Sequence, residues 1–312
     1  MKKLNSWSYE KFASVVLVSI LSALVLNIGH AASLPDLPEH LASPFSNANK
    51  LKRDSAVDLQ RFFTEKHYDI DTVRQSRQLP DIFVANLPPD INALPVHDKT
   101  SLFIRLLLTS VVKVNESILA VRNEIERLIE KKGEGSSLTK NESEWLANIA
   151  EDYYCDATDL SELIHRVDIL PVDLVLAQAI DESGWGTSHF AREGNALYGQ
   201  HLGAQSKATY LTTPDGKVKI ATYDNLYHST AGYLHNINTT KTYSQLRGAR
   251  AAVRAKHGHL SGVELAGALV NYSVRGQHYV KTLRWLMQHY KLDALNDLTF
   301  IKSATAELIV FP

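Results

Sequence analysis

The segment 171–183 is apolar on almost every side, and this feature constrains the fold more than any other in the chain. Pro171 lies where a helix tolerates proline, in the first turn, and Asp173 adds a favourable negative charge near that N-terminus. The apolar side chains that follow are Leu174, Val175, Ala177, Ala179 and Ile180. A helix that is apolar around its whole circumference is buried. We therefore expect a central helix enclosed by other elements, which a chain of 312 residues with 45% hydrophobic content can provide.

The sequence around this segment predicts mostly helices. Apolar residues recur at helical spacing between Lys99 and Lys132, which indicates one long amphipathic helix or a broken pair. Residues 277–292 predict a final helix rich in aromatic side chains. One stretch differs, because β-forming residues over 209–223 flank the turn sequence Pro214-Asp215-Gly216. The prediction is a mainly α fold with a small β-hairpin lobe and a helical N-terminal extension.

The N-terminal third is predicted to be more extended. Residues 33–60 are rich in Pro, Ser, Asn and charge, which is typical of a tether, and four prolines between Leu79 and Pro95 exclude a single helix there. The expected organisation is a signal peptide, a tether with an extended segment, a helical extension, a main domain and a C-terminal tail. Their bounds are 1–31, 32–98, 99–140, 141–298 and 299–312.

The N-terminus predicts export. Lys2, Lys3 and Lys11 precede an apolar run over 13–28, and small residues then favour cleavage after Ala31. The run is short for a membrane span, so we expect cleavage and a periplasmic protein. The alternative is an uncleaved anchor in the inner membrane with the chain facing the periplasm.

Charge is unevenly distributed although the formal net charge is only −1. Residues 241–291 contain nine Lys or Arg and one acid, Glu264. Such a surface suits a polyanion, and a solvated helical face explains it equally well. Nothing in the composition indicates a nucleic-acid partner.

Metal, cofactor and nucleophile chemistry have little support. The closest histidine pairs, His257 with His259 and His228 with His235, match no zinc pattern. Ser183 lacks the nucleophile elbow of hydrolases, and the single Cys155 has no accompanying motif. We expect no metal and no cofactor.

Glu182 is the strongest candidate for catalysis. It lies in the last turn of the buried helix, where the helix dipole disfavours a further negative charge, and Trp185 can form an apolar wall beside it. Gly184 and Gly186 allow the helix to stop and leave space for a ligand. A carboxyl group in this setting keeps its proton near neutral pH, as a general acid for glycosidic cleavage requires. The structural alternative is a buried acid paired with a C-terminal arginine; neighbouring Asp181 points elsewhere and is expected to be structural.

The run AQAIDESGWGTSHFAREGNALYG over 177–199 resembles the glucosaminidase domain of glycoside hydrolase family 73. The segment 195–199 resembles the family's N-x-[LF]-[FY]-G, and Ile220-Ala221-Thr222-Tyr223 stands where the family often has F-R-x-Y. Ser229 falls at the following serine, and residues 272–281 resemble the Y-A-T-D-P-x-Y-A-x-K element. The resemblance covers about residues 145–295.

This resemblance implies a lysozyme-like helical domain over 141–298 with a small β-lobe, which hydrolyses the β-1,4 bond after N-acetylglucosamine in peptidoglycan. Glu182 falls on the family's general acid and Tyr272 on a tyrosine of the catalytic cleft. The positions implied for substrate contact are Trp185, Asn195, Tyr198, Tyr223 and Tyr279. Peptidoglycan strands are then the partner, with the basic region 241–291 as a candidate glycan-binding surface.

The chain departs from the family pattern in its β-lobe. Many members carry a second glutamate there, but residues 202–223 contain none, and Ala221 replaces the arginine of F-R-x-Y. The candidate second acids are Asp215 and Asp224; the other option is assistance by the sugar's own N-acetyl group, with Tyr272 orienting it, which fits the sequence best.

Three alternatives stay open on sequence grounds. One is a membrane-tethered interaction protein that works through the helices of the N-terminal half. A lytic transglycosylase or muramidase-type enzyme also uses one glutamate in a lysozyme-like fold. A non-catalytic cell-wall-binding protein would use the same cleft without turnover. No pattern assigns a protein partner to the N-terminal extension.

Overall fold

The structure is a computed structural model that describes residues 34–35, 42–203 and 205–312. Its helices are α1 (Ala56–Glu65), α2 (Ile70–Ser76), α3 (Val96–Gly133), α4 (Lys140–Asp152), α5 (Leu160–Arg166), α6 (Val172–Ser183), α7 (His189–Gly194), α8 (Leu226–Thr239), α9 (Ser244–His257), α10 (Gly262–Leu265) and α11 (Gln277–His289). Its strands are β1 (Asn49–Lys52), β2 (Gln78–Leu79), β3 (Ile82–Val84), β4 (His201–Leu202), β5 (Tyr210–Thr212), β6 (Lys219–Ala221), β7 (Thr299–Phe300) and β8 (Glu307–Val310).

The predicted signal peptide, residues 1–31, lies outside the described residues. Within the part of the chain that is described, no helix is both long and apolar enough to cross a membrane. The described residues from Leu34 onward form one compact unit.

Helix α6 occupies the centre of the fold, as its composition predicted. Every side chain from Val172 to Ile180 is buried, and the helix packs against α3, α10 and α11. Pro171 precedes its first residue, and Gly184 ends it in the left-handed conformation (φ 57°), donating its N–H to the carbonyl of Ile180. A Cβ is strained at this φ, which explains the glycine.

Helix α3 is one continuous helix of 38 residues, which resolves the choice between a long helix and a broken pair. It is about 57 Å long at 1.5 Å per residue, and its buried face extends from Thr100 to Leu128. The helix contacts α5, α6, α8 and β3. It therefore joins the N-terminal part of the chain to the central helix.

Residues 49–84 contain regular structure where the sequence predicted a tether and extended chain. Ser55 caps α1 by accepting the N–H of Asp58 (3.1 Å), and Asp69 caps α2 by accepting that of Thr72 (2.8 Å). No single helix spans 79–95, as its four prolines predicted. The division of the chain into domains stays a prediction.

The C-terminal residues form the middle strand of a parallel sheet. Strand β8 lies between β1 and β3, with Asn49 opposite Glu307 and Val84 opposite Ile309. The residues at 307–310 that the sequence assigned to a tail are therefore part of the folded body. Short strands β2 and β7 pair in the same parallel sense.

The predicted hairpin is present as a separate small sheet. Strands β5 and β6 are antiparallel, with Leu211 opposite Ile220, and β4 pairs with the other edge of β6. Gly216 adopts a positive φ of 71° in the turn between β5 and β6. A mainly α fold with a small β-lobe is thus confirmed.

Candidate active site

The last turn of α6 and the β-lobe together line a cavity of about 340 Å³. Its lining residues are Glu182, Tyr198, Gly199, Gln200, His201, Asn236, Thr240, Tyr243, Tyr272 and Ser273. Among the described residues of this lining, Glu182 supplies the only carboxylate. A Cβ on Gly199 would lie 3.9 Å from Glu182 Oε2, so this oxygen is close to another lining residue that has no side chain.

The Glu182 carboxyl group has a raised pKa. Burial is the largest cause, and the nearby charge of Asp181 adds to it. A hydrogen bond from Tyr279 and the charge of Arg275 act in the opposite direction. The pKa of Glu182 is therefore shifted upward, as the sequence predicted. The apolar wall predicted from Trp185 is not found, because Trp185 is not among the residues that line the cavity.

Asp181, next to Glu182, forms an ion pair with a C-terminal arginine. On sequence grounds, such a pair was the structural alternative for Glu182. Both nitrogens of the Arg275 guanidinium head donate to its two carboxylate oxygens, one of them at 3.2 Å. Adjacent residues on a helix point about 100° apart, so the two acids face different surroundings. Glu182 is left without a direct arginine contact among the described residues.

Three buried side chains form a hydrogen-bonded chain behind Glu182. Tyr233 donates to the amide oxygen of Gln178. The amide nitrogen of Gln178 donates to the Tyr279 hydroxyl at 3.0 Å, and the Tyr279 hydroxyl bonds to the Glu182 carboxyl group. Tyr279, predicted to contact substrate, is fully buried behind the acid rather than on the cavity wall.

Two of the predicted tyrosines do line the cavity. The Tyr272 hydroxyl donates to the backbone carbonyl of Tyr198 at 3.3 Å, and its ring is stacked on that of Tyr279 (centroids 5.4 Å apart). Burial raises the pKa of the Tyr272 phenol well above its usual value, and the charge of Glu182 raises it further. Tyr272 is therefore a neutral hydrogen-bonding group beside the acid.

The remaining predicted contact residues lie outside the cavity lining. Trp185 packs edge-on against Phe103 and Tyr290, with ring centroids 6.0 and 4.8 Å away. Asn195 ends α7 with φ 52° and donates its amide to the carbonyl of Tyr223 at 3.0 Å. The hydroxyl of Tyr223 donates in turn to the side chain of Gln200 at 2.8 Å. Asn195 and Tyr223 thus support a lining residue, while Trp185 packs in the core.

The two candidate second acids are also absent from the described lining. Asp215 lies at the tip of the hairpin, where it accepts hydrogen bonds from the Thr213 hydroxyl (2.7 Å) and the Lys217 N–H (3.2 Å). These bonds lower its pKa. Asp224 is exposed just after β6.

Sequence reasoning missed several polar lining residues, namely Gln200, His201, Asn236, Thr240, Tyr243 and Ser273. Gln200 and His201 directly follow the motif segment 195–199, so their position was a usable signal. Asn236 and Thr240 are four residues apart and hydrogen-bonded to each other (2.7 Å). No local pattern distinguished this pair from other polar residues of a helix.

Four of the nine basic side chains in the region 241–291 have partners within the fold. Arg247 and Arg250 are buried, and Arg254 bonds Asp168 (3.0 Å). Arg275 is held by Asp181. These four side chains have partners within the fold, and glycan binding by the region stays a prediction.

No group of three or more possible metal ligands occurs among the residues for which the structure gives positions. The lining at Glu182 consists of its carboxyl group together with hydroxyl, amide and imidazole side chains. Such a site can donate one proton to a bound group and hold that group by hydrogen bonds.

A family model, Glucosaminidase (mannosyl-glycoprotein endo-beta-N-acetylglucosaminidase), matches residues 157–292. The chain is 30% identical over 199 residues to Protein bax of Escherichia coli (strain K12), a match that covers 61% of this chain and 70% of the relative.

Similar solved structures include three bacterial domains. The catalytic domain of the autolysin Auto from Listeria monocytogenes is 15% identical, with a TM-score of 0.32, covering 55% of this chain and 97% of its own. A peptidoglycan hydrolase from Sphingomonas sp. A1 is 18% identical, with a TM-score of 0.32, and the match covers 52% of this chain and 91% of that protein. The glycoside hydrolase domain of FlgJ from Salmonella typhimurium is 20% identical, with a TM-score of 0.31, and the match covers 49% of this chain and 90% of that domain.

Proposed function

We propose, on the premise that the chain belongs to the glucosaminidase family of glycoside hydrolases (family 73), that it cleaves peptidoglycan glycan strands with Glu182 as general acid. The observation that carries this proposal is the position of Glu182. It is the one carboxylate in the described lining of the cavity, and its pKa is raised by burial. A carboxylic acid that keeps its proton is what protonation of a glycosidic oxygen requires.

The bond we assign is the β-1,4 linkage after N-acetylglucosamine, which makes the protein an endo-β-N-acetylglucosaminidase. The support is family membership together with a polar cavity wall suited to a sugar with an amide substituent. Side-chain amides at Gln200 and Asn236 and the hydroxyls of Tyr243, Tyr272 and Ser273 can hydrogen-bond sugar hydroxyls and an N-acetyl group.

In the mechanism we propose, Glu182 gives its proton to the leaving oxygen while the N-acetyl carbonyl oxygen of the substrate attacks the anomeric carbon. The bond to the leaving sugar breaks and a cyclic oxazolinium forms. Glu182, now a carboxylate, accepts a proton from a water molecule that opens this ring at the same carbon. Two inversions give net retention, and Tyr272 orients the N-acetyl group.

Substrate assistance is preferred because neither aspartate of the β-lobe region lies in the described cavity lining. Two-carboxylate glycosidases hold their acids about 5–9.5 Å apart across the bond. Asp215 is engaged by its own turn, and Asp224 is solvent-exposed. We also propose that the protein is exported to the periplasm. Its apolar N-terminal run is typical of a signal peptide, and the proposed substrate, peptidoglycan, lies in that compartment.

The test is digestion of purified sacculi by the wild-type protein and by Glu182→Gln. We expect products that end in reducing N-acetylglucosamine. NMR of the freshly released products should show that the anomeric configuration of the cleaved bond is retained. Loss of the general acid slows cleavage by roughly 10²- to 10⁴-fold. Glu144→Gln, an exposed glutamate of α4, is the matched control and keeps full activity.

Five results would overturn parts of the proposal. Products with a 1,6-anhydro ring would identify a lytic transglycosylase, and reducing N-acetylmuramic ends a muramidase. An inverted anomer would exclude substrate assistance. No products from the wild-type protein, or unchanged cleavage by Glu182→Gln, would remove Glu182 from the chemistry.

A further inference from the structure

We propose that Tyr233, Gln178 and Tyr279 form a positioning relay that decides which oxygen of Glu182 presents the catalytic proton to the cavity. The proposal rests on the proposed role of Glu182 as the acid. It assigns functions to two residues, Gln178 and Tyr233, that the sequence did not single out. It also gives Tyr279 a positioning contact in place of the predicted substrate contact.

The relay joins three helices that pack around the acid. Gln178 precedes Glu182 by four residues on α6, so the two side chains lie on the same helix face. Tyr233 is on α8 and Tyr279 is on α11. All three side chains are buried, with 0 to 2% of their surface exposed. Buried polar groups of this kind remain only where their hydrogen bonds are satisfied.

The direction of the chain follows from the donors and acceptors available. A glutamine amide has one accepting oxygen and one donating nitrogen. Tyr233 uses its proton on the amide oxygen, and the amide nitrogen donates to the oxygen of Tyr279. The proton of Tyr279 is then free for Glu182. The reverse amide orientation would draw that proton to Gln178 and leave the Glu182 contact without a donor.

Neighbouring rings hold the two tyrosines in place. The Tyr233 ring stacks on Tyr198 with centroids 4.1 Å apart. The Tyr279 ring stacks on the Tyr272 ring, with centroids 5.4 Å apart, and the Arg275 guanidinium lies over it at 4.9 Å from its centroid. Burial also raises the pKa of the Tyr279 phenol far above its usual value, so it remains a donor. The relay is therefore fixed before any ligand binds.

A donor on one side of a carboxyl group selects where its proton resides. The oxygen that accepts from Tyr279 cannot also carry a proton directed at Tyr279, because two O–H groups would then oppose each other. The transferable proton is left to the oxygen away from Tyr279, on the cavity side. The same bond stabilises the carboxylate and limits how far burial raises the pKa of Glu182.

The test combines Tyr279→Phe and Gln178→Met with two readouts. One is the pH profile of kcat/KM; the other is the titration of the Glu182 side-chain carbon by NMR, assigned with Glu182→Gln. We expect Tyr279→Phe to move both the alkaline limb and the NMR titration to higher pH, since the bond that favours the carboxylate is gone. A misplaced proton should lower kcat roughly 10- to 100-fold, with little change in KM.

The double variant separates a relay from ordinary packing. Gln178→Met alone should shift the titration in the same direction by a smaller amount. In the Tyr279→Phe background it should add no further shift, because Gln178 acts on Glu182 only through the missing hydroxyl. Tyr227→Phe is the matched control, a buried tyrosine whose hydroxyl contacts Ser117 at 3.5 Å, and it leaves the Glu182 titration unchanged.

The proposal is overturned if Tyr279→Phe titrates like the wild-type protein or if the two substitutions have additive effects. Should Tyr279→Phe fail to fold, Gln178→Met with Tyr233→Phe decides the question by the same titration. The NMR measurement needs no substrate. A wild-type protein that cleaves no glycan would therefore defeat the proposed function, while the titration would still test the relay.

Discussion

Glu182 and Asp168 are both withdrawn from solvent, but their partners differ in kind. Asp168 is surrounded by three guanidinium groups, from Arg254 at 3.0 Å, Arg122 at 3.5 Å and Arg250 at 3.7 Å. Glu182 accepts a hydrogen bond from the neutral hydroxyl of Tyr279. Positive partners compensate a charge and fix it, whereas a neutral donor leaves the group free to gain and lose a proton. The first arrangement suits a structural acid and the second a catalytic one.

Two of the nine basic residues in the region 241–291, Arg250 and Arg254, surround Asp168. Arg250 is fully buried and bonds the backbone carbonyls of Asp168 (2.9 Å) and His165 (3.0 Å). Burial lowers the pKa of Arg250 to about 10, and the charge of Asp168 acts against this shift. The Asp168 cluster thus ties α3, α5 and α9 together.

Among the substitutions that test the contrast between Asp168 and Glu182, we expect Asp168→Asn to change the free energy of unfolding most. Removing one partner of a buried ion pair leaves the other charge uncompensated and typically costs about 3–5 kcal/mol. The free energy of unfolding, measured by urea titration, should fall by that amount. Asp215→Asn, at an exposed turn, is the control. A loss below about 1 kcal/mol would mean that the arginines find other partners, and the contrast with Glu182 would weaken.

For Glu182→Gln we expect a smaller change in the free energy of unfolding, in the direction of greater stability. The pKa of Glu182 is higher in the folded protein than in the unfolded chain, so its ionisation opposes folding. Its favourable contribution is complete below the unfolded value of about 4.3 and is lost as pH rises through the folded pKa. Unfolding measured from pH 4 to 8 should show Glu182→Gln becoming more stable relative to the wild-type protein as pH rises.

The activity of the wild-type enzyme should fall over the upper part of the same pH range, because only the protonated acid can donate. Identical stability curves for the two proteins at every pH would show that Glu182 is as well compensated as Asp168. In that case the distinction between the two acids would be lost.

The smallest effect is expected from Asp224→Asn and Asp215→Asn. Both side chains are exposed, and surface substitutions usually change stability by less than about 0.5 kcal/mol. Under substrate assistance, the rate of glycan cleavage should change less than about threefold. A drop of 100-fold or more in either variant would identify a second acid and place it on a β-lobe that closes over the substrate.

Several parts of the fold were predictable because their signals are local. The apolar circumference of 172–180 identified the central helix, and Pro214-Asp215-Gly216 identified the hairpin. The position of Glu182 at a glycine-terminated helix end identified the candidate acid. In each case, neighbouring residues in the sequence determine the structure.

The parts that could not be predicted depend on residues far apart in the chain. Whether Arg250 faces solvent or Asp168 is decided by tertiary packing, and charge counts do not contain that information. Tyr279 lies in the last predicted helix, about a hundred residues after Glu182, and only the fold shows that it lies behind the acid. Trp185 was assigned to the cavity by its nearness in sequence, but its backbone at φ 61° directs it toward Phe103 and Tyr290.

The parallel sheet has a consequence for the order of folding during synthesis. Strands β1 and β3 precede helices α3 to α11 in the chain, whereas β8, which pairs with both strands, follows these helices. Strands β1 and β3 therefore have no partner in that sheet until the helices that precede β8 have been synthesised. Contacts of such long sequence separation slow folding and leave strand edges open to wrong pairing. Pairing of β8 thus completes a sheet whose other two strands are synthesised before helices α3 to α11.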